Sequence, residues 1–289
     1  MGQYYLYANM DTKQSLFGDD GMKFMEHTYL GSGVMDMLFS SVYEKPQRIM
    51  QVGDYADRLS EFVGCDLMEG FEDELGIRSD IYDEHGYHTT MYGYFRRHEI
   101  IYDGEEIPYI RYAYNDTKKQ MVDLYRQKPC SAYIDFIESE NRAVLHISKI
   151  HTAGMLIALG NGLGGGDYHF NGQNANMVGI WCGDRIFTSN ELKPDFYDIT
   201  EDVIFDEYAE NMSLEEILDE EMNRCKNSYY YDSRHEEMLK NFTVDTRGLS
   251  EEDIIICEDF VKGVSSSLIQ SQSPEDEMEG ECQETDERE

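Results

Sequence analysis

The sequence predicts an α+β protein in which two related sheet-containing segments precede a helical C-terminal region. Three observations carry this expectation. Aromatic and alternating runs that end in polar turns recur up to Asp198, which is the pattern of half-buried strands joined by hairpins. Beyond Asp198, apolar residues recur at helical spacing behind serine caps. With 289 residues and 40% hydrophobic content, the chain can also bury a sizeable core.

The first segment spans 1–107 and the second 108–200, and a short internal repeat is what relates them. Tyr5-Leu6-Tyr7-Ala8-Asn9-Met10-Asp11-Thr12-Lys13-Gln14 parallels Tyr112-Ala113-Tyr114-Asn115-Asp116-Thr117-Lys118-Lys119-Gln120, with a one-residue shift in the turn. Each copy then reaches a His-Thr pair, His27-Thr28 and His151-Thr152, followed by glycine and a Met- and Leu-rich stretch, Val34 to Phe39 and Met155 to Leu159. Each ends at an Arg-Ile step, Arg48-Ile49 and Arg185-Ile186. The same order of landmarks suggests duplication, although an aromatic strand ending in an Asn-Asp turn is also ordinary hairpin chemistry.

Between the copies, Arg58 to Glu74 reads as an acidic helix and Tyr82 to His88 as a polar turn. Tyr133 to Glu138 and Ala143 to Ile147 alternate around the polar Ser139-Glu140-Asn141-Arg142, a hairpin signal. The helical region is placed at 201–270. Ser213 with Glu216 forms a capping box ahead of Leu214, Ile217, Leu218 and Met222, and Ser250 opens a second helix carrying Ile254, Ile255, Ile256, Phe260 and Val261. Residues 271–289 are acidic, poor in apolar side chains and expected to be disordered.

Charge narrows the function classes. With 59 Asp and Glu against 24 Lys and Arg, the formal charge is -35. Direct binding to a nucleic acid backbone is disfavoured, because phosphate contacts need clustered Lys and Arg, and a basic protein or a nucleic-acid-binding complex is the better partner. The opening residues show no secretory signal, no apolar run approaches the roughly 20 residues that span a bilayer, and six scattered cysteines form no framework. A cytoplasmic protein without a membrane partner is expected.

The most conspicuous candidate site is the glycine-rich run Gly160 to His169, in which Gly164, Gly165 and Gly166 permit close backbone approach while Asp167 and His169 supply acid-base groups. It matches neither a Walker loop nor a dinucleotide fingerprint, and a flexible surface loop inserted between two packed elements is the simpler reading. Metal ligands could be drawn from His85, His88 and His98, or from His146, His151, Asp167 and His169, but no metal-binding spacing is present and no metal or cofactor is expected. His146 alternates with apolar neighbours like a satisfied sheet histidine. Cys182, beside Gly183, Asp184 and Arg185, is the one cysteine with a nucleophile-like setting, and a buried packing role is the simpler reading. Trp181 reads as a core anchor, with Asp184 and Arg185 as a local turn or ion pair.

Two patches, Tyr4 to Gln14 and Gly179-x-Trp181-x-Gly183-Asp184-Arg185-Ile186, resemble an uncharacterised family of bacterial and bacteriophage proteins that open Met-Gly-x-Tyr-Tyr. In that family the Trp motif runs into a Val-Gly-Asp-Tyr strand, whereas here Val52-Gly53-Asp54-Tyr55-Ala56-Asp57 sits in the first copy. The resemblance transfers no catalytic residue. It implies a phage or mobile-element context, in which a small acidic protein acts on host machinery. The function expected from these readings is therefore a non-enzymatic interaction protein, an inhibitor of a host nucleic-acid-binding or defence complex. The alternative is a small-ligand or nucleotide-binding module, or an enzyme, built on the Gly160 to His169 loop.

Overall fold

The computed structural model describes residues 4–16, 22–54, 65–77, 90–100, 104, 107, 109–159, 177–203 and 212–270. In chain order the elements are β1 (Tyr4–Asn9), β2 (Gln14–Leu16), β3 (Met22–Lys23), α1 (Phe24–His27), α2 (Gly33–Ser40), β4 (Ile49–Gly53), α3 (Cys65–Leu75), α4 (Met91–Arg97) and β5 (Glu99–Ile100). They continue as β6 (Tyr112–Asn115), β7 (Gln120–Asp123), β8 (Pro129–Ile137), β9 (Arg142–Lys149), α5 (Thr152–Leu156), β10 (Ala158–Leu159), β11 (Ile186–Ser189) and β12 (Tyr197–Asp198). The last are α6 (Leu214–Lys226), α7 (Ser233–Leu239), β13 (Phe242–Val244) and α8 (Glu251–Gln270). The architecture is α+β, with helices gathered toward the C-terminal region.

Three sheets result among the described residues. The first has the order β10-β4-β1-β2-β5 with β3 also on β1, the second β11-β6-β7-β12, and the third β13-β9-β8. Alternation along β1 sends its side chains into two different cores. Tyr5 and Tyr7 face a large cluster with Phe39, Ile110, Ile157 and Trp181, while Leu6, Ala8 and Met10 face α3 and α4 through Phe71, Met91 and Phe95. The large cluster draws on residues from Tyr5 to Val203, so the first two sheets share one interior.

The repeated landmarks occupy corresponding positions in these two sheets. Each hairpin closes on an Asn-Gln pair, Asn9 with Gln14 and Asn115 with Gln120, around a four-residue loop, so the shift in the sequence match is absent from the structure. The Asn9 side chain accepts from Asp11 N and Thr12 N, and Asn115 accepts from Lys118 N. Both loops end on a left-handed lysine, Lys13 at φ 58° and Lys119 at φ 55°. Met10 N donates to Arg48 O and Asp116 N to Arg185 O, each at 2.8 Å. After the two helices, Gln51 Nε2 donates to Gly154 O and Thr188 Oγ1 donates to Phe39 O, again at 2.8 Å. The His-Thr pairs behave differently. They lie against each other across the middle, with His151 N donating to Thr28 O.

The third sheet belongs to the C-terminal helices. Its hairpin turns at Glu138 to Asn141, where Asn141 takes the left-handed region at φ 47°. β13 adds to β9 in parallel, pairing Phe242 with Ala143, a strand that the helical reading of 201–270 omits because three residues are too few to show alternation. Ala143, Leu145, Leu218, Leu239, Cys257 and Val261 form the core there, so this sheet crosses the segment boundary drawn at 200. The expected caps form. Ser213 and Glu216 bond each other's backbone N–H reciprocally, and Ser250 does the same with Asp253.

Charged side chains help tie this unit to the rest. Lys149, 1% exposed, donates to Asp253 Oδ2 at 2.8 Å and to Tyr125 O at 2.7 Å. The Arg247 guanidinium lies 4.7 Å from the Tyr109 ring centre, where Gly248, at φ 76°, leaves no room for a Cβ between Leu30 and Tyr109.

Candidate interaction groove

β8 is nine residues long and forms the edge of its sheet, because only β9 pairs with it among the described residues. α6 lies alongside, held by the apolar stripe Leu214, Ile217, Leu218 and Met222. Glu221 interrupts that stripe. It is 7% exposed, accepts from Ile134 N at 3.1 Å through one oxygen and holds Arg224 at 2.6 Å through the other. A buried carboxylate is tolerated there because both oxygens have charged or backbone donors.

On either side of this link the strand and the helix part. Toward the start of β8 a groove of about 710 Å³ is lined by Ser131, Ala132, Tyr133, Met212, Ile217 and Glu220. Toward its end a second hollow of about 270 Å³ is lined by Ile134, Phe136, Cys225, Tyr230, Tyr231 and His235. Both hollows touch Glu221 and Arg224, so the ion pair stands between the two lobes of this trough. The Tyr231 hydroxyl has no hydrogen-bond partner among the described residues, and burial, with Glu236 and Cys225 nearby, pushes its pKa up to about 12. Exposed tyrosines border the trough, Tyr133 at 48% exposure on the first hollow and Tyr230 at 81% on the second.

Acids exceed bases throughout the chain, and in the first two sheets some of them are paired, as in Glu74 with Arg48, Asp184 with Lys118 and Asp198 with Arg126. Residues 212–270 carry 14 Asp and Glu against 6 Lys and Arg. On α6, the exposed Glu215, Asp219 and Glu220 have no basic partner among the described residues. Of these, Glu220 lines the groove beside the Glu221–Arg224 pair, with the strand edge of β8 on the other side.

Other candidates fare differently. Gly164, Gly165, Gly166, Asp167 and His169 all lie outside the described residues, as do His85, His88 and the tail 271–289. His98 stacks on Tyr94 and bonds its backbone oxygen. His151 is 2% exposed, caps α5 by accepting from Gly154 N, and stacks on Phe39 at 4.4 Å. No group of three or more His, Cys, Asp or Glu that could hold a metal ion occurs among the described residues. Cys182 is 6% exposed, and burial pushes its thiol up to about 12, which leaves it protonated and poorly nucleophilic at neutral pH. Trp181 anchors the core, fully buried with Nε1 on Gln120 Oε1. Asp184 and Arg185 do not pair with each other. Asp184 binds Lys118, and Arg185 reaches Asp11.

His146 meets Asp245 at 3.3 Å, Asp245 is clamped by Arg247 at 2.7 Å, and Tyr133 stacks on the imidazole at 4.6 Å. This constellation looks catalytic on paper. The cavity it lines with Tyr29 and Tyr109 is about 30 Å³, room for about one water, so its groups serve to join the third sheet to the body.

No sequence motif announces the groove. Its one legible trace is Glu221, a charge placed three and four residues beyond Leu218 and Ile217 on an otherwise apolar stripe. No described helix is long and apolar enough to cross a membrane. Compared with family models, curated proteins and solved structures, the chain matches none.

Proposed function

We propose that this chain is a non-enzymatic interaction protein whose trough between α6 and β8 receives a basic segment of a partner protein. In the phage or mobile-element setting that the sequence resemblance implies, the partner is a host nucleic-acid-binding or defence protein held in an inhibited state. The observation that carries the reading is the acidic, tyrosine-flanked groove beside an open strand edge. Exposed aromatics supply contact area at low entropic cost, and unmatched carboxylates on α6 select for positive charge and speed its arrival. The surplus of acid in residues 212–270 also suits a basic partner.

The test is titration of the intact chain with a short peptide alternating valine and lysine, at low and high salt. Affinity should fall with salt, and the Asp219→Lys, Glu220→Lys double variant should weaken binding about tenfold. Reversal of Glu251 and Glu252 at the start of α8 is the control. If that control weakens binding as much as the groove variant, charge acts non-specifically and the proposal is lost.

A further inference from the structure

The edge of β8 has a periodicity that the groove alone does not explain. Ile134 N donates to Glu221, so the Ile134 backbone points away from β9. Residues of an antiparallel pair alternate between facing the partner strand and facing outward, so Ala132 and Phe136 present their N–H and C=O groups on the same open side. These three residues span about 13 Å of strand, and the two lobes of the trough lie along it. Ser131, Tyr133 and Asp135 alternate with them, and Tyr133 and Asp135 hold β9 in register opposite His146 and Val144.

We infer that the basic segment is taken up as an added strand on β8, with Glu221 as the placeholder that it displaces. This inference rests on the interaction reading above and specifies its chemistry. Long unpaired edges are rare in folded proteins because they template further strands, and a side chain that caps the edge is one way to control that. Glu221 caps only Ile134, the middle of three outward-facing residues. A lysine or arginine of the incoming chain pairs with the Glu221 carboxylate and draws it off the strand, which frees Ile134 N–H for a backbone carbonyl of that chain. Basic character and strand addition are thus coupled through one side chain. Backbone pairing supplies affinity, and the aromatic hollow at Phe136, Tyr230 and Tyr231 takes alternate side chains.

Amide hydrogen exchange on the full chain, with and without the valine-lysine peptide, tests this directly. In the free protein the amides of Ala132 and Phe136 should exchange quickly while those of Tyr133 and Asp135 are protected. Peptide should slow Ala132, Ile134 and Phe136 together. Ala132→Pro removes one outward N–H, a change that edge strands accept, and should weaken peptide binding about tenfold while circular dichroism stays native. A peptide N-methylated along one edge should bind as poorly, which keeps the test valid if the proline variant misfolds. Three results overturn the inference: protection of Ala132 and Phe136 already present in the free monomer, the same protection arising only with concentration-dependent dimerisation, or peptide binding without the period-two pattern. The last outcome, combined with sensitivity to the Asp219 and Glu220 reversals, leaves the groove as a charge-driven site and removes only strand addition. Absence of any peptide binding removes both.

Discussion

Arg48 and Arg185 donate to opposite oxygens of one carboxylate, that of Asp11, at 2.8 and 2.9 Å. Asp11 lies in the β1–β2 hairpin loop, and the arginines precede β4 of the first sheet and β11 of the second, so the contact fastens the two sheets together. Arg48 also grips both oxygens of Glu74 at the end of α3.

Asp11→Asn should therefore destabilise the fold by about 1–2 kcal/mol, more than a lone surface pair because one loss releases two arginines. Arg48→Ala and Asp11→Asn should combine to less than the sum of their single effects in urea unfolding. Additivity within error means that the network is only apparent. Partial burial works against ionisation of Asp11, but the Arg48 hydrogen bonds and charge outweigh it, and Arg48 likewise holds Glu74 below the usual carboxylate range. Stability from these depressed groups is present above pH ~4 and lost as pH falls through their folded values.

The buried histidines should produce an earlier loss. Burial lowers His27 to about 4 and His151 to about 3, against an unfolded value near 6.5. The unfolded chain binds more protons throughout that window, so stability is full above pH ~6.5 and declines as pH falls toward the folded values, by about 1.4 kcal/mol per pH unit for each histidine. Protonation also converts His151 Nδ1 from an acceptor of Gly154 N into a donor. His151→Asn preserves an N-cap acceptor without titrating, and should reduce the slope of stability against pH between 6 and ~4.5 by about half. An unchanged slope in urea titrations at several pH values contradicts this.

Lys149→Met should cost about 3–5 kcal/mol, because it leaves Asp253 and Tyr125 O without their ammonium partner at a buried joint. Adding Asp253→Asn removes the stranded charge and keeps an oxygen for the Ser250 cap. The double variant should recover part of the loss, as read by denaturant midpoints. A single-variant cost under about 1 kcal/mol shows that water replaces the ammonium.

The legible parts of the fold were local. The β8–β9 hairpin follows from alternation around Glu138 to Asn141, and α6 and α8 follow from caps within three residues of their apolar stripes. Two- and three-residue strands such as β10 and β13 were not legible, since each exists only because a distant partner, β4 or β9, offers its edge. Of the local turn or ion pair expected at Asp184 and Arg185, the turn forms, with Asp184 N on Trp181 O, and the ion pair does not, for a related reason. Neighbours in a turn point apart, and Lys118 and Asp11 arrive from other strands.

By itself the sequence determined the α+β class, the Asn-closed hairpin loops, the capped C-terminal helices and the large excess of negative charge, because each depends on spacing within a few residues or on composition. Tertiary structure alone decided that β8 is an edge, that Glu221 reaches its backbone, and that the unmatched Glu220 of α6 borders the same trough. An edge is defined by which strand is not beside it, and a groove by side chains brought together from residues some 90 positions apart, as Ile134 and Glu221 are. Neither relation has a signature in the order of residues along the chain.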